Sequence, residues 1–149
     1  MNDASPEVPP GFTRITLHIP FLELLGPFHH RVDGVKEIVG LRVEPRHCNF
    51  QGIAHGGLTA ALSDIVLGRV VFLAAGGRQP TLTVTLHTEF HGKAPLGCWH
   101  EGRAQLERKG SSIAFASAEL FADGERIGRA SGVFKLLKNA KPLVEDAAP

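Results

Sequence analysis

The sequence predicts an α+β fold in which an antiparallel sheet wraps around one long central helix. The first observation is the segment from Gly56 to Ala75, which is apolar over nearly its whole length. A helix that is apolar on all sides is enclosed by the rest of the protein. The second observation is that strand-like segments flank this helix in separate blocks, as is typical of α+β proteins. A sheet wrapped around the helix is the simplest arrangement that encloses it.

Local patterns define the other elements. Pro20 to Leu25 is expected to form a short helix that Gly26-Pro27 closes. Turn signals at Asp33-Gly34 and Asp123-Gly124 separate successive strands. The expected strands comprise residues 28–31, 35–43, 81–91, 99–107, 113–121 and 127–137. The strand at 81–91 alternates, with one face formed by Leu82, Val84, Leu86 and Phe90 and the other by Thr83, Thr85, His87, Glu89 and His91.

Length and composition fit a single domain. The chain has 149 residues, of which 43% are hydrophobic and 21% are charged, and its formal net charge is +1. That balance is typical of one globular domain with a proper core. A nearly neutral chain does not favour nucleic acid or a membrane surface as the main partner. We expect a flexible lead-in at 1–11, a core at about 28–137 and a frayed tail at 138–149.

The sequence favours a cytoplasmic protein without a membrane span. Met1 to Pro10 contains no basic stretch followed by an apolar one, so no signal peptide is predicted. Cys48 and Cys98 lack CxxC spacing, which favours a reducing compartment and no disulfide. The long apolar segment has nearly the length of a membrane span. However, Asp64 and Arg69 would each cost roughly 2.5–3.5 kcal/mol at the centre of a bilayer, so a buried helix is preferred.

Asp64 is the most informative residue in the chain. Its neighbours three and four positions away on the predicted helix are Ala, Leu and Gly, none of which can pair with a carboxylate. Arg69 lies roughly 140° around the helix and is not a local partner. An unpaired buried carboxylate is costly. Asp64 therefore lies on an exposed stripe of the helix, forms a salt bridge to another element, or has a chemical role.

The helix is preceded by His55-Gly56-Gly57. Helices usually begin with Ser, Thr, Asp or Asn, whose side chain binds one of the free N–H groups. A Gly-Gly start leaves the N–H groups of the first turn open at the positive end of the helix dipole. Such a site suits a developing oxyanion. The alternative interpretation is a plain tight turn.

The segment Asn49-Phe50-Gln51-Gly52-Ile53-Ala54-His55-Gly56-Gly57, followed on the helix by Asp64, resembles the signature of hotdog thioesterases of the phenylacetic-acid-degradation (PaaI) type. The resemblance extends over roughly residues 28–137. It implies a single hotdog domain that hydrolyses an acyl-CoA thioester to a free acid and CoA. It also implies a homodimer or homotetramer with active sites at the subunit interface.

The resemblance assigns roles to individual residues. Asp64 would be the general base or the nucleophile, and the N–H of Gly56 would polarise the thioester carbonyl. Asn49 and His55 would orient the site. The alternative interpretation of His55 is a histidine at the helix start that hydrogen-bonds the backbone. Thr83 matches a position at which relatives carry a hydroxyl, often Ser, that helps to hold water. No cofactor is implied beyond the CoA that is part of the substrate.

Further residues are expected to contact the substrate. Gly57 lies at the helix start, and Arg103, Arg108 and Lys109 lie near the turn Gly110-Ser111-Ser112. In the resembled family this turn lies near the nucleotide end of CoA. Basic side chains and free backbone N–H groups suit phosphates. The alternative interpretation is a solvated hairpin.

Three other groups of residues carry weaker signals. A metal set at His87, Glu89 and His91 is not favoured, because a site needs three or four convergent ligands and these lie along one strand. A thiol nucleophile at His47-Cys48 is not favoured either, because adjacent side chains of an extended chain point to opposite faces. An aromatic or aliphatic acyl pocket could be lined by Phe12, Phe21, Phe28, Phe72 and Phe90.

Two other functions stay open. A hotdog dehydratase or hydratase would use an Asp and His pair in motifs that this chain lacks. A non-catalytic acyl-CoA-binding or sensing module would have no need for a carboxylate beside the thioester, so Asp64 argues against it.

The spacing of Gly56 and Asp64 predicts a shared site. Eight residues of helix span about 12 Å, whereas a base must lie about 3 Å from the reacting groups, directly or through one water. One helix therefore cannot present both groups to one thioester. A second, antiparallel helix related by a twofold axis could bring its own Asp64 level with Gly56 of the first chain.

Overall fold

The fold is built on one antiparallel sheet of seven strands, seen in a computed structural model that describes residues 7–138. Helix α1 covers Pro20–Leu25, helix α2 covers Gly56–Ala74, and a 3₁₀ turn lies at Pro45–His47. The strands are β1 Thr13–Arg14, β2 His29–Asp33, β3 Lys36–Arg42, β4 Thr81–Phe90, β5 Trp99–Lys109, β6 Ile113–Ala122 and β7 Glu125–Leu136. Their order across the sheet is β1-β2-β3-β5-β6-β7-β4, so β4 forms one edge.

Helix α2 lies across the inner face of the sheet and contacts β3, β4, β5, β6 and β7. Its mean hydropathy of 1.7 and its length would suit a membrane span. The contacts with five strands instead make it the core helix of the domain. The predicted α+β arrangement of a sheet around one long helix is therefore confirmed. The buried residues of the helix are Leu58, Thr59, Leu62, Ser63, Val66, Leu67, Val70 and Val71.

Small residues on the inner face of the sheet allow α2 to approach closely. Residues that are directly opposite in an antiparallel pair point to the same face. Ala118 of β6 lies opposite Ala104 of β5 and Ala130 of β7, and all three are buried. A Cβ atom on Gly102 would lie 2.9 Å from Cγ1 of Val66. A larger residue at that position would push the helix away from the sheet.

Strand β4 departs from the alternation that its sequence predicts. A β-bulge between Thr83 and Thr85 inserts one extra residue into the strand. Thr83 pairs with the buried Phe134 and faces the helix, whereas Thr85 pairs with Val133 on the outer face. The prediction that Thr83 shares a face with Thr85 and His87 is therefore wrong. The prediction that Leu82 shares a face with Leu86 and Phe90 is wrong for the same reason. The bulge turns Thr83 toward α2 and leaves His87 on the outer side.

Two polar contacts fix α2 against the sheet. Near its start, Thr59 Oγ1 lies 3.0 Å from His100 Nε2, and His100 Nδ1 lies 2.8 Å from the carbonyl oxygen of Phe121. Because a carbonyl only accepts, Nδ1 carries the ring proton and Nε2 accepts from the threonine hydroxyl. Near the other end, Arg69 Nε donates to Glu37 Oε1 at 2.9 Å. The helix is therefore fixed in position and in rotation.

Residues 7–14 lie on the outer face of the sheet and along its edge. The ring of Phe12 packs edge-on against Trp99 at 5.0 Å between centroids, and Arg42 donates to the carbonyl of Glu7. The short strand β1, which the sequence does not signal, pairs with β2. The start of the expected lead-in, 1–6, and nearly all of the expected tail, 139–149, lie outside the described residues.

We predict that stability falls in mild acid because of His100. Burial is the main cause that lowers the pKa of this ring. In the unfolded chain the pKa returns to about 6.5, so below that pH the unfolded state binds more protons. The contribution of this residue to the free energy of unfolding should be constant above that pH. As the pH is lowered further, the contribution should decrease by up to about 1.4 kcal/mol per pH unit.

Urea unfolding between neutral and mildly acidic pH measures this effect, with His100→Gln as the comparison. Burial and the nearby charge of Arg14 also lower the pKa of His29, but that contribution is common to both proteins. The His100→Gln protein should therefore have the shallower pH dependence. Equal slopes in the two proteins would contradict the prediction.

Candidate active site

His55 is the N-cap of α2, and its ring binds the backbone of the first turn. Its Nδ1 accepts a hydrogen bond from the N–H of Gly57 at 2.9 Å. The expectation that the first-turn N–H groups are open is therefore wrong for Gly57. Histidine is not among the usual capping residues, and this bond agrees with the alternative interpretation of His55 as a helix-start histidine that binds the backbone. Among residues 7–138, the N–H of Gly56 has no hydrogen-bond acceptor, and it lies at the positive end of the helix dipole.

Asn49 orders the loop that leads to the helix start. Its Oδ1 accepts from the N–H of Gln51 at 2.9 Å, and its own N–H donates to the carbonyl of Ile53 at 2.9 Å. This side-chain turn fixes the backbone locally. The N–H of His55 then donates to the carbonyl of His47 at 2.8 Å. Asn49 therefore shapes the approach to the helix, and its role toward the substrate stays a prediction.

Asp64 and Thr83 are brought together by the bulge in β4. The hydroxyl of Thr83 donates to Asp64 Oδ1 at 2.7 Å. Arg69 binds Glu37 instead, as its position around the helix predicts. Asp64 is half-buried, and its Oδ2 has no hydrogen-bond donor within the described part of the chain. One carboxylate oxygen is thus held in place while the other is available to water or substrate.

One face of α2 follows the edge strand β4. A Cβ atom on Gly56 would lie 3.6 Å from the ring of Phe90, and one on Gly68 would lie 3.8 Å from Thr81 Oγ1. Asp64 lies eight positions after Gly56 and four positions before Gly68, and each of the three lies beside a residue of β4. Gly56 and Asp64 are still separated by about 12 Å along the axis. A single chain therefore presents the two groups at different points along the boundary between α2 and β4, which we call the furrow of α2 and β4.

The five candidate phenylalanines have different surroundings. Phe21 lines an apolar pocket between α1 and the start of α2, and Phe90 lies against the helix start. Phe28 is buried in the core, and Phe12 packs on the outer face of the sheet. Phe72 is half-buried near the far end of α2. Only two of the five therefore lie near the helix start.

The predicted phosphate-binding turn is the hairpin between β5 and β6. A β-bulge near its end puts Arg108 on the outer face and Lys109 on the inner face, opposite the buried Ala114. The N–H of Gly110 is bonded across the turn at 2.8 Å, so the expectation of a free donor is wrong there. The turn residues Ser111-Ser112 are exposed. Arg103 is remote from this turn, because it binds Glu101 and stacks on Phe121.

His87, Glu89 and His91 form an ion cluster on the outer face of the sheet. Arg129 donates to both oxygens of Glu89 at 2.9 Å, and the two histidines lie 3.3 and 3.0 Å from the same oxygens. The bonds from Arg129 are the main cause that lowers the pKa of Glu89 to about 2. The guanidinium occupies the carboxylate that a metal ion would need. Within residues 7–138 no three His, Cys, Asp or Glu groups have the geometry of a metal site.

His47 and Cys48 do not form a nucleophilic pair. The Nδ1 of His47 accepts from the N–H of Glu44 at 3.0 Å, and its Nε2 lies 2.7 Å from the carbonyl oxygen of Leu25. The sulfur of Cys48 lies 3.5 Å from the carbonyl oxygen of Glu44. Both ring nitrogens are therefore engaged, and the histidine cannot take the proton of the thiol.

Comparisons with known sequences identify the family of the chain. The family model of the thioesterase superfamily matches residues 51–129. A Pseudomonas aeruginosa protein that is named as an esterase is 41% identical over 130 residues, which cover 87% of this chain and 97% of that protein. The mouse protein named acyl-coenzyme A thioesterase 13 is 32% identical over 85 residues, which cover 57% of this chain and 60% of that protein.

Solved structures share the fold. Zebrafish thioesterase superfamily member 2 aligns with a TM-score of 0.72 and 25% identity, over 80% of this chain and 89% of that one. The Escherichia coli PaaI protein from the phenylacetic acid degradation operon aligns with a TM-score of 0.72 and 15% identity, over 81% of this chain and 86% of that one. The sheet around one long helix is the expected hotdog domain. The chain belongs to the thioesterase superfamily.

Proposed function

We propose that the protein hydrolyses an acyl-CoA thioester to a free acid and CoA. The observation that supports this best is the 2.7 Å hydrogen bond from Thr83 to Asp64. It orients a half-buried carboxylate on the same helix whose start, at Gly56, has an open N–H. The name of the mouse relative, acyl-coenzyme A thioesterase 13, agrees with this substrate class.

The reaction needs few groups. The Oδ2 atom of Asp64 takes a proton from a water molecule whose oxygen attacks the thioester carbon. Alternatively, Oδ2 attacks that carbon itself and water then hydrolyses the acyl-enzyme anhydride. In both routes the N–H of Gly56 stabilises the negative oxygen that forms. The C–S bond then breaks and CoA leaves as a thiolate, which needs no strong acid because an ordinary thiol has a pKa of about 8.5.

The separation of Gly56 and Asp64 leads us to propose that two subunits share each site. Their distance along the helix axis is about 12 Å, and a base must lie about 3 Å from the reacting groups, directly or through one water. If a second α2 lies antiparallel beside the first, Asp64 of the partner subunit comes level with Gly56. A twofold axis then produces two equivalent sites.

The edge strand β4 supports this assembly. It carries Leu82, Val84 and Phe90, which are 55%, 56% and 57% exposed, and one of its edges is unpaired. An exposed apolar edge tends to associate unless it is covered. A second copy docked on β4 would cover these side chains together with the face of α2 that carries Asp64. We therefore propose a homodimer or a homotetramer.

We further propose that the β5–β6 hairpin binds the phosphates of CoA. Strand β5 begins beside the start of α2, where His100 contacts Thr59, and runs toward the other end of the helix. The hairpin therefore lies toward the Asp64 end of its own chain and away from Gly56. Lys109 is the better placed of its two basic residues, because it lies on the inner face with the helix.

The compartment we propose is the cytoplasm. Cys48 and Cys98 are both free, which supports a reducing environment. Burial raises the pKa of Cys98 to about 12. That thiol therefore stays protonated and unreactive at neutral pH.

Asp64→Asn should abolish most turnover while substrate still binds. The amide keeps the size of the side chain but cannot take a proton, so kcat should fall about 100- to 10,000-fold. Release of CoA from a panel of acyl-CoAs, followed with a thiol reagent, measures this. Asp33→Asn changes an exposed carboxylate at the end of β2 and should keep the wild-type kcat.

Variants of Thr83 complete the same test. Thr83→Val removes the hydrogen-bond donor and should lower kcat, whereas Thr83→Ser retains the hydroxyl and should keep most activity.

A near-normal kcat in Asp64→Asn would exclude the mechanism. Binding of acyl-CoA without release of CoA by the wild type would instead favour a non-catalytic module, and hydration of an enoyl-CoA would favour a hydratase.

Removing positive charge from the hairpin should raise KM more than it lowers kcat, because phosphate contacts bind the ground and transition states alike. The increase should be larger for Lys109→Gln than for Arg108→Gln and should shrink at high salt. Arg126→Gln removes a cation that pairs with Glu119 on the outer face and is the matched control. An unchanged KM in both single variants and in their double variant would refute the phosphate site.

A further inference from the structure

An apolar pocket of about 260 Å³ lies between α1 and the start of α2. Phe21 and Leu25, four positions apart on α1, form one wall. The other wall is the first turn of α2, including His55 and Gly57. These two residues flank Gly56 in the chain. The pocket therefore opens beside the N–H group that we propose as the oxyanion donor.

Two basic residues that line the pocket hold α1 in place. Arg46 donates through its guanidinium to carbonyl groups at the end of α1, and its Nε donates to Glu44 at 2.8 Å. His47 is 4% exposed, and its Nε2 bonds to the carbonyl of Leu25 at 2.7 Å. The position of α1 is thus fixed by polar contacts rather than by apolar packing alone.

These contacts also determine the chemistry of the lining. The charge of Arg46 is shared between the carboxylate of Glu44 and backbone carbonyls, and both ring nitrogens of His47 are occupied. An anionic group in the pocket would lose part of its water and would compete with Glu44 and the backbone carbonyls for the guanidinium of Arg46. A hydrocarbon group would instead gain from burial against Phe21 and Leu25. The lining therefore favours an uncharged, apolar occupant.

We propose that this pocket holds the acyl group of the substrate, that the group is an uncharged hydrocarbon chain or ring, and that Phe21 and Leu25 set its size. The inference rests on the proposed thioester hydrolysis. Gly56 faces Phe90 and the furrow of α2 and β4 on its other side. An acyl group beside α1 leaves that furrow free for the carboxylate and the attacking water.

A series of acyl-CoAs of increasing length tests the inference on the wild-type protein. The ratio kcat/KM should rise about fourfold for each added methylene until the pocket is filled. Butyryl-CoA and succinyl-CoA form a matched pair, because the second carries a carboxylate in place of the terminal methyl. Butyryl-CoA should be preferred by about tenfold or more, since the carboxylate would lose part of its water against an apolar wall.

Substitutions at two positions of α1 test whether this pocket holds the acyl group. Phe21 is 55% exposed, so Phe21→Ala should not disturb the fold. It should lower kcat/KM for octanoyl-CoA about tenfold and change the value for acetyl-CoA less than about twofold. Leu25→Trp should fill the pocket and shift the preference to shorter acyl groups. Leu24→Trp is the control, because Leu24 is 68% exposed on the same helix and does not line the pocket.

The outcomes separate this inference from the proposed function. If the wild type hydrolyses acyl-CoAs but Phe21→Ala and Leu25→Trp keep its chain-length profile, or if succinyl-CoA is as good as butyryl-CoA, the pocket assignment alone is wrong. If the wild type hydrolyses none, the proposed function fails. Calorimetry then tests the pocket assignment. Octanoyl-CoA should bind more tightly than CoA to the wild type but not to Phe21→Ala. An equal difference in affinity between the two ligands in both proteins would overturn the assignment.

Discussion

The close fit between helix α2 and the inner face of the sheet is the constraint on which the rest of the structure depends. The sheet can enclose the helix because alanine and glycine line its inner face, and at Gly102 there is room for no side chain beside Val66. The contacts of Thr59 with His100 and of Arg69 with Glu37 then fix the rotation of the helix. As a result, the face that carries Asp64 meets the edge strand β4 and is not covered by the centre of the sheet.

In the proposed mechanism, catalysis and assembly both depend on that same face. A carboxylate and an N–H donor on one helix are held rigidly, but the length of the helix keeps them about 12 Å apart. The proposed second copy solves this separation and at the same time covers the exposed apolar residues of β4. The polar contacts of Arg46 and His47 place α1 beside the start of α2. Substrate selection would then depend on a short helix outside the sheet.

Much of the fold could be predicted from the sequence because it follows from local periodicity. The apolar segment at 56–75 and the alternating strands at 99–137 are of this kind. The bulge in β4 was not predictable, because one extra residue leaves no mark in the alternation, and it reversed the face assigned to Thr83. Backbone hydrogen bonding by His55 was only the alternative interpretation of that residue, because histidine rarely caps helices. The α1 pocket depends on contacts between Arg46 and carbonyls some 20 residues away, which no local pattern reveals.

The central claim is that each active site joins Asp64 of one subunit to the helix start of another, and complementation tests it most directly. One inactive protein carries Asp64→Ala, and the other carries Asn49→Ala with His55→Ala at the oxyanion side. When the two are mixed and allowed to exchange subunits, each heterodimer should regain roughly half of the wild-type activity, because one of its two sites is intact. If subunits demonstrably exchange and no activity returns, or if a verified monomer is fully active, the claim is contradicted.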